Sequence, residues 1–428
     1  MKTTSDAEGS GQRERAPHLA WSARLRKWGS AGLRCVSLFA TVSRWSAQRQ
    51  PRTDPGAAAR VQAMLGSVGS AVRQFSRALA ARALTVPVLG TARVDAERRR
   101  LVSSVSQLGR DETAQRPAQV RIIANPVSGG PHTDAWVKEL EATARWLTVR
   151  GRPTEVCLTD GPGSARGLAD EAVRAGLPVV VAAGGDGTIN EVIQALAGHT
   201  TALGVLPTGT INVWAREMGI PLSLVEARAV LREGVHRRID LGRAGTRYFL
   251  LMAGIGIDAE ATRRVERQGL ARVGLKLLDY IAIGGYLSVT QRPQRVWIHQ
   301  GGKRRGTHII EIVIGNTRLW GGAFTFTQRA IADDGWLDIV YVGGHRLRDR
   351  AQVFIRAALR LPSLGPHARY ERVRSLRLDA DKPLPVQVDG EVIGHLPMTF
   401  AVCPRALTVI VPKASAPDLF LHPPLPSS

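Results

Sequence analysis

The feature that most restricts the fold is an alternation of short apolar runs and amphipathic segments that begins near Gln119. In chain order, we predict a strand at Val120–Ala124, a helix at Ala135–Val149, a strand at Glu155–Leu158, a helix at Ser164–Ala175, a strand at Pro178–Ala183, a helix at Ile189–Ala197 and a strand at Ala202–Leu206. Such alternation indicates a doubly wound α/β domain with a parallel sheet. Ligands of these sheets bind at the loops that follow the carboxyl ends of the strands.

Three of these strand ends are followed by loops rich in glycine, hydroxyl and amide side chains: Asn125–Gly129, Gly184–Glu191 and Pro207–Asn212. Paired glycines let the backbone approach a polyphosphate, and the helix that follows the second loop offers amide donors at its N-terminus. Asp186 would repel phosphates unless a divalent cation or a hydroxyl donor mediated the contact, so it suggests metal-assisted phosphoryl transfer. Any one loop could be an ordinary tight turn, but three on successive strands favour a nucleotide site.

The pattern changes after Asp240 to short β-type runs separated by Gly, Asp and Pro, which suggests a second, mainly antiparallel domain. A helical insertion is expected near Leu275–Leu287, and the proline-rich tail from Pro412 is expected to be disordered. The predicted strands are Tyr248–Ala253, Arg295–His299, Ile309–Ile314, Trp336–Val342, Ser375–Leu378, Val386–Val388 and Ala406–Val411.

The net charge of +22 is concentrated in residues 1–110, where 19 Lys and Arg face 6 Asp and Glu. This excess implies an anionic partner, either a phospholipid surface or nucleic acid, and a solvated, partly disordered arm is the alternative. Apolar residues at helical spacing over Leu19–Gln48, with tryptophans among arginines, are typical of a helix in the lipid headgroup layer. An ordinary packed amphipathic helix explains them equally well. We expect no membrane-spanning helix, no signal peptide and no disulfide framework.

The motifs together resemble the catalytic domain of the diacylglycerol kinase and sphingosine kinase superfamily, and most closely the bacterial soluble lipid kinases. In the first half they are Asn125-Pro126-x-Ser128-Gly129, Gly184-Gly185-Asp186-Gly187-Thr188 and Gly209-Thr210-x-Asn212. In the second half they are Asp240-x-Gly242, the segment from Gly254 to Glu260, Asp334-Gly335-x-Leu337-Asp338 and Asp389-Gly390-Glu391. The resemblance implies a nucleotide domain over 118–242 and a β-sandwich lipid-substrate domain over 243–412. A basic extension over 1–117 precedes them, and a tail over 413–428 follows.

The resemblance implies a role for each matched residue. Glu391 would be the general base that takes the proton from a lipid hydroxyl, with Asp389 beside it and Asp186 organising phosphates and catalytic magnesium. Asp334, with the backbone carbonyls of Ile331 and Trp336, would hold a structural magnesium ion. The ATP contacts would come from Asn125, Pro126, Val127, Ser128, Gly129, Thr159, Gly184, Gly185, Asp186, Gly187, Thr188, Ile189, Asn190 and Thr210.

We therefore expect a Mg²⁺- and ATP-dependent lipid kinase in the cytoplasm, at the inner face of the membrane, which its basic N-terminal region would help to bind. The acceptor could be diacylglycerol, phosphatidylglycerol, a sphingoid base or ceramide. One alternative is a phosphotransferase like the NAD kinases, which share the Gly-Gly-Asp-Gly loop. Another is a non-catalytic membrane-binding or nucleic-acid-binding protein with a degenerate kinase domain, although no nucleic-acid motif is present. Val213 stands where many relatives have Asp, which removes one polar group near the phosphates.

Overall fold

The computed structural model describes residues 118–129, 134–267, 287, 291–322, 324–344 and 346–426. All structural statements concern these residues. The predicted basic extension and, except for Leu287, the predicted helical insertion lie outside them. No helix within the described ranges has the length and apolar character that crossing a membrane requires.

The first part of the described chain forms the predicted alternation of strands and helices. In chain order these are β1 (Val120–Ala124), α1 (Asp134–Val149), β2 (Thr154–Leu158), α2 (Ser164–Arg174), β3 (Val179–Gly184), α3 (Asp186–Leu196), β4 (Ala202–Pro207), α4 (Val213–Met218) and α5 (Leu224–Glu233). The four strands pair in parallel in the order β2-β1-β3-β4. Every residue of β3 and β4 is buried, as expected for strands with helices on both faces of the sheet.

The second part is mainly antiparallel, as predicted. Its elements are β5 (Val235–Ala244), β6 (Arg247–Phe249), β7 (Met252–Gly256), α6 (Ile257–Arg267), β8 (Gln294–Gln300), β9 (Lys303–Ile309), β10 (Glu311–Gly315), β11 (Leu319–Trp320), β12 (Phe324–Thr325), β13 (Leu337–Val342), α7 (Leu347–Ala358), β14 (Ala368–Val373), β15 (Ser375–Ala380), β16 (Pro385–Val388), β17 (Glu391–His395) and β18 (Met398–Val411). The predicted run Tyr248–Ala253 is divided between β6 and β7, and Ile309–Ile314 between β9 and β10.

A second core lies between two sheets of this region. One sheet has the order β14-β13-β10-β7-β16-β17, and the other contains β18, β15, β8 and β9. Alternate residues of both sheets, among them Ile298, Ile339 and Phe400, belong to one buried apolar cluster. These facing sheets form the predicted β-sandwich. Helix α6 packs on β7, β16 and β17.

Strand β18 joins the two predicted domains. It pairs in parallel with β4 through Thr408 and Val409, and antiparallel with β5 and β15. The sheet that begins at β2 therefore continues without interruption into the sandwich, and the described residues contribute ten strands to it. The boundary predicted at residue 242 falls inside β5, so both predicted domains contribute to one sheet.

The described tail lies against the fold rather than being disordered as we predicted. Leu419 and Phe420 are buried, and the carboxylate of Asp333 accepts hydrogen bonds from the backbone N–H groups of Leu421 (2.5 Å) and His422 (3.0 Å). The prolines suggested disorder because they cannot continue a helix or an internal strand. Two apolar side chains and a buried carboxylate are sufficient to hold an irregular segment in place.

Candidate active site

The parallel sheet brings the predicted nucleotide loops together. Strands β2, β1, β3 and β4 are parallel neighbours, so their carboxyl ends lie side by side. Four parts of the predicted nucleotide site follow these ends: Thr159, the loop of Asn125, the start of α3 and the loop after β4. Thr159 donates its backbone N–H to the carbonyl of Ala124 (2.9 Å). Val127 and Thr210 are exposed in the loops at the carboxyl ends of β1 and β4.

The loops after β1, β3 and β4 touch backbone to backbone. Gly129 has φ +76°, and a Cβ atom there would collide with the carbonyl oxygen of Thr208. A Cβ atom at Gly185 would lie 3.2 Å from Cα of Gly209, and one at Gly209 would collide with Gly185. Glycine is therefore required at Gly129 and Gly209, because a side chain there would separate the loops, and a side chain at Gly185 would crowd Gly209.

Polar side chains fix the same loops. Asn125 accepts a hydrogen bond from Val127 N–H (3.1 Å) and donates from Nδ2 to Oγ1 of Thr188 (3.2 Å). Asn212, at φ 54°, accepts from Gly209 N–H (2.9 Å) and donates to the Gly209 carbonyl (2.8 Å), which closes the loop after β4. These bonds hold the site in shape without a ligand.

Helix α3 begins inside the glycine-rich motif, three residues earlier than predicted. Its first i→i−4 bond runs from Ile189 N–H to the Gly185 carbonyl (3.1 Å), so the amides before it lie at the unpaired end of the helix. Such an end attracts anions through its N–H groups and its dipole. Together with the close approach allowed at Gly185, this arrangement fits a nucleotide polyphosphate.

Asp186 links this loop to the next helix. Its two carboxylate oxygens accept hydrogen bonds from the backbone N–H groups of Val213 (3.0 Å) and Trp214 (3.1 Å), the first residues of α4. Burial raises the pKa of Asp186, and these two donors act in the opposite direction. The described residues contain no group of three or more His, Cys, Asp and Glu suited to a metal ion. A magnesium ion beside Asp186 would therefore share its coordination with phosphate oxygens and water, as Mg²⁺ commonly does.

The predicted catalytic turn lies against the nucleotide domain. Asp389 is half-buried at φ 47°, and its carboxylate accepts bonds from the backbone N–H groups of Leu250 (2.7 Å), Leu251 (2.9 Å) and Met252 (3.0 Å). A fourth bond comes from Nδ2 of Asn190 in α3 (2.9 Å). Burial raises the pKa of Asp389, and its donors oppose that effect. With four donors on its two oxygens, Asp389 fixes the turn, whereas the side chain of Glu391 is 39% exposed.

Glu391 reaches the glycine-rich loop from the sandwich side. A Cβ atom at Gly187 would lie 3.4 Å from Oε1 of Glu391, and Oε2 accepts a bond from Nη2 of Arg247 (2.8 Å). The same nitrogen donates to Oδ1 of Asn190 (2.7 Å). The structure thus places the predicted base beside the predicted phosphate loop.

Sequence reasoning missed Arg247 altogether and gave Asn190 only a nucleotide contact. Arg247 stands at the start of the three-residue strand β6, outside every quoted motif. The one available signal was a cationic residue five positions after Asp240-x-Gly242, immediately before the predicted strand Tyr248–Ala253.

The predicted structural metal residues lie at one place. Asp334 accepts a bond from Trp336 N–H (3.1 Å), and its other oxygen pairs with the guanidinium of Arg372. Ile331 lies in the same loop. One oxygen of the carboxylate already has a cationic partner, so a magnesium ion there would coordinate the other oxygen or displace Arg372. Asp240 is also buried, and it accepts bonds from the backbone N–H groups of Gly335 and Arg405.

Models of two protein families match the two halves of the described region. Residues 119–244 match the diacylglycerol kinase catalytic domain. Residues 252–411 match the YegS C-terminal NAD kinase beta sandwich-like domain. The division between the two matches falls between β5 and β7.

Curated relatives cover the same region. The diacylglycerol kinase of Bacillus subtilis (strain 168) is 30% identical over 304 residues, which are 70% of this chain and 99% of the relative. That of Staphylococcus carnosus (strain TM300) is 27% identical over 297 residues, or 69% of this chain and 95% of the relative.

Solved structures share the fold. A crystal structure of a diacylglycerol kinase from Bacillus anthracis strain Sterne has 20% identity and a TM-score of 0.54, and covers 70% of this chain and 98% of its own. A second crystal structure from that organism has 22% identity and a TM-score of 0.59, with the same coverage.

Proposed function

Since the chain belongs to the bacterial diacylglycerol kinase family, we propose that it transfers the γ-phosphoryl group of ATP to a hydroxyl group of a membrane lipid. Kinase relatives and the α/β plus β-sandwich fold support the phosphotransferase assignment. ATP as the donor and a lipid as the acceptor are our proposal.

One observation carries the proposal most directly: Glu391 lies beside the loop that begins α3. The Asn190–Asp389 bond of 2.9 Å joins that helix to the turn that holds Glu391. A base fixed within reach of a phosphate-binding loop meets the main geometric requirement of phosphoryl transfer, which depends largely on positioning and electrostatics.

In the proposed reaction, ATP lies across the strand-end loops with its phosphates toward the α3 N-terminus. The lipid hydroxyl oxygen attacks the γ-phosphorus in line, and its proton passes to the Glu391 carboxylate. A phosphorus–oxygen bond to the lipid forms while the bond to the β–γ bridging oxygen breaks, which gives ADP and a phosphorylated lipid. Magnesium, when bound, neutralises phosphate charge beside Asp186.

The lipid acceptor implies work at a membrane surface. We propose that the basic N-terminal region contributes by binding the anionic inner leaflet, at about 1 kcal/mol for each basic residue near the surface. Diacylglycerol is the first acceptor to test because the curated relatives are named for it.

A soluble acceptor is the second candidate. The match of residues 252–411 to a domain described as NAD kinase beta sandwich-like favours testing a dinucleotide beside the lipids. The two candidate functions share ATP as the phosphate donor and differ only in the molecule that receives the phosphoryl group.

The test is transfer of radiolabelled γ-phosphate from ATP to diacylglycerol, phosphatidylglycerol, ceramide and sphingosine in mixed micelles, and to NAD in solution. Glu391→Gln should lower the rate by roughly 10²–10⁴-fold with ATP binding retained, because it removes the base and keeps the side chain's size. Asp186→Ala should also abolish labelling. Glu233→Gln, at an exposed glutamate of α5, is the matched control and should keep wild-type activity.

Label in a lipid that is lost with Glu391→Gln supports the proposal and identifies the acceptor. Label in NAD alone would replace it with the second candidate. Equal labelling by wild type and Glu391→Gln would reject Glu391 as the base.

A further inference from the structure

Arg247 occupies the space between the phosphate loop and the catalytic turn. It follows the two-residue turn Gly245-Thr246 of the β5–β6 hairpin, and β6 packs against α3. Its side chain is 27% exposed. A guanidinium buried to this extent needs hydrogen-bond acceptors, because each unsatisfied buried donor destabilises the fold.

The hydrogen bonds seen among the described residues use only part of the donor capacity of the Arg247 guanidinium. Nη2 donates to Asn190 Oδ1 (2.7 Å) and to Glu391 Oε2 (2.8 Å). Nε is buried, and no acceptor for it occurs among the described residues. No hydrogen bond from Nη1 is seen within the described part of the chain either. The guanidinium fork thus retains donors beside the loop that fits a polyphosphate.

The chemistry of these donors indicates their partner. A guanidinium has five N–H groups in a planar fork that matches two oxygens of a phosphoryl group. Its two present acceptors belong to α3, which presents its N-terminus to the phosphates, and to the proposed base. The group that lies between these two in a kinase reaction is the phosphoryl group being transferred.

We propose that Arg247 is a further catalytic residue. During transfer, its N–H groups that have no acceptor among the described residues would donate to the oxygens of the γ-phosphoryl group. This inference rests on the proposed function, since it takes ATP as the donor. Arg247 neither gains nor loses a proton: the lipid proton goes to Glu391, and the electrons of the broken bond leave with ADP. The guanidinium stabilises the negative charge on the transferred group and keeps Glu391 directed at the incoming hydroxyl.

The experiment compares full-length wild type with Arg247→Gln and Arg247→Lys. Arg243→Gln is the matched control, because Arg243 lies on the same hairpin but is exposed. Calorimetry gives the affinities for ADP and for a non-hydrolysable ATP analogue, and the labelling assay gives kcat. Circular dichroism and thermal melts confirm that each variant is folded.

We expect Arg247→Gln to weaken binding of the ATP analogue by roughly 10- to 100-fold, the range for a lost charged hydrogen bond, and to leave ADP affinity unchanged. Arg247→Lys should recover part of the analogue affinity, because lysine keeps the charge and loses the fork. Arg243→Gln should match wild type in every measurement.

Equal affinity of Arg247→Gln and wild type for the analogue would overturn the proposal and leave Arg247 as a positioning residue for Glu391. An equal loss for ADP and the analogue would overturn it in favour of a structural role. If wild type binds no nucleotide, both this inference and the proposed function fail. If Arg247→Gln weakens binding of the ATP analogue but not of ADP, and no lipid is labelled, the inference stands and only the acceptor assignment fails.

Discussion

Two carboxylates of the sandwich, both with a pKa raised by burial, show how their surroundings decide what each side chain does. Asp389 has four hydrogen-bond donors on its two oxygens. Glu311 is buried, but only Oε2 has a partner, the backbone N–H of Asp258 (2.9 Å), and among the described residues Oε1 has none. Burial, followed by the charge of Asp258, raises the pKa of Glu311 well above its usual value.

This difference predicts a pH effect at Glu311. A carboxyl group with a raised pKa in the folded state holds its proton there while the unfolded chain has lost it, so stability falls as pH rises above the ordinary value near 4.5. Glu311→Gln has no proton to lose. Its free energy of unfolding, relative to wild type, should therefore increase by up to about 1.4 kcal/mol per pH unit above that value.

Urea unfolding of both proteins between pH 4.5 and 8 measures this difference. Glu233→Gln, at an exposed position, serves as the control and should give a difference that does not change with pH. A constant difference for Glu311→Gln would contradict protonation of Glu311 in the fold.

At this scale the sequence predicted part of the candidate site. Short motifs that carried the resemblance predicted Asn125, Gly185, Asp186 and Glu391. Arg247 could not, because its importance comes from contacts 57 and 144 positions away in the chain. Local patterns contain no record of such distant partners.

The loops after β1, β3 and β4 behave as one element. Gly185 and Gly209 meet without side chains between them, and Asn212 Oδ1 lies 2.7 Å from where a Cβ atom of Gly209 would be. The backbone of Gly185 lies on one side of Gly209 and the hydrogen-bonded side chain of Asn212 on the other, so neither neighbour can move away without losing a contact. A side chain at Gly209 would therefore move the loops apart.

Gly209→Ala should separate these loops. We expect it to destabilise the protein by about 1–3 kcal/mol through overpacking and to weaken ATP binding by at least roughly tenfold through misplaced amides. Gly161→Ala is the matched control, because nothing lies within 4 Å of a Cβ atom there. Denaturant unfolding and ATP calorimetry on both variants test this, and equal behaviour of the two would show that the loops do not need close contact.

The strands differ in how closely their predicted bounds match the observed ones. Strands β3 and β4 were predicted nearly to the residue because they are apolar and buried on both faces. Only the end of β18 was predicted, since its first half is partly exposed and contains Pro404 and Arg405, which has φ 50°. Its register with β5 shifts between Cys403 and Leu407. A strand with such a bulge has no regular alternation for a pattern to detect.

At the scale of the whole molecule, charge is the feature that the described residues do not explain. Residues 1–110 carry 19 of the 58 Lys and Arg and only 6 of the 36 Asp and Glu. This region lies outside the described residues, so its proposed membrane role stays a prediction from composition.

Deleting residues 1–110 should weaken binding to phosphatidylglycerol vesicles by at least roughly 100-fold at low salt, given about 1 kcal/mol per basic residue near the surface. ATP affinity should not change. Vesicle sedimentation at two salt concentrations measures the effect, with phosphatidylcholine vesicles as the uncharged control. Unchanged sedimentation of the shortened protein would remove the region from the membrane-binding proposal.

The pairing of β18 with β4 also sets an order of events in the cell. About 200 residues separate these strands along the chain, and a ribosome adds roughly 5–20 residues each second. For roughly 10–40 s the nascent nucleotide domain therefore has all its phosphate loops but an open edge at β4, where another strand could add. Closing that edge requires β18, so the sheet that carries the phosphate loops is complete only after most of the β-sandwich has been synthesised.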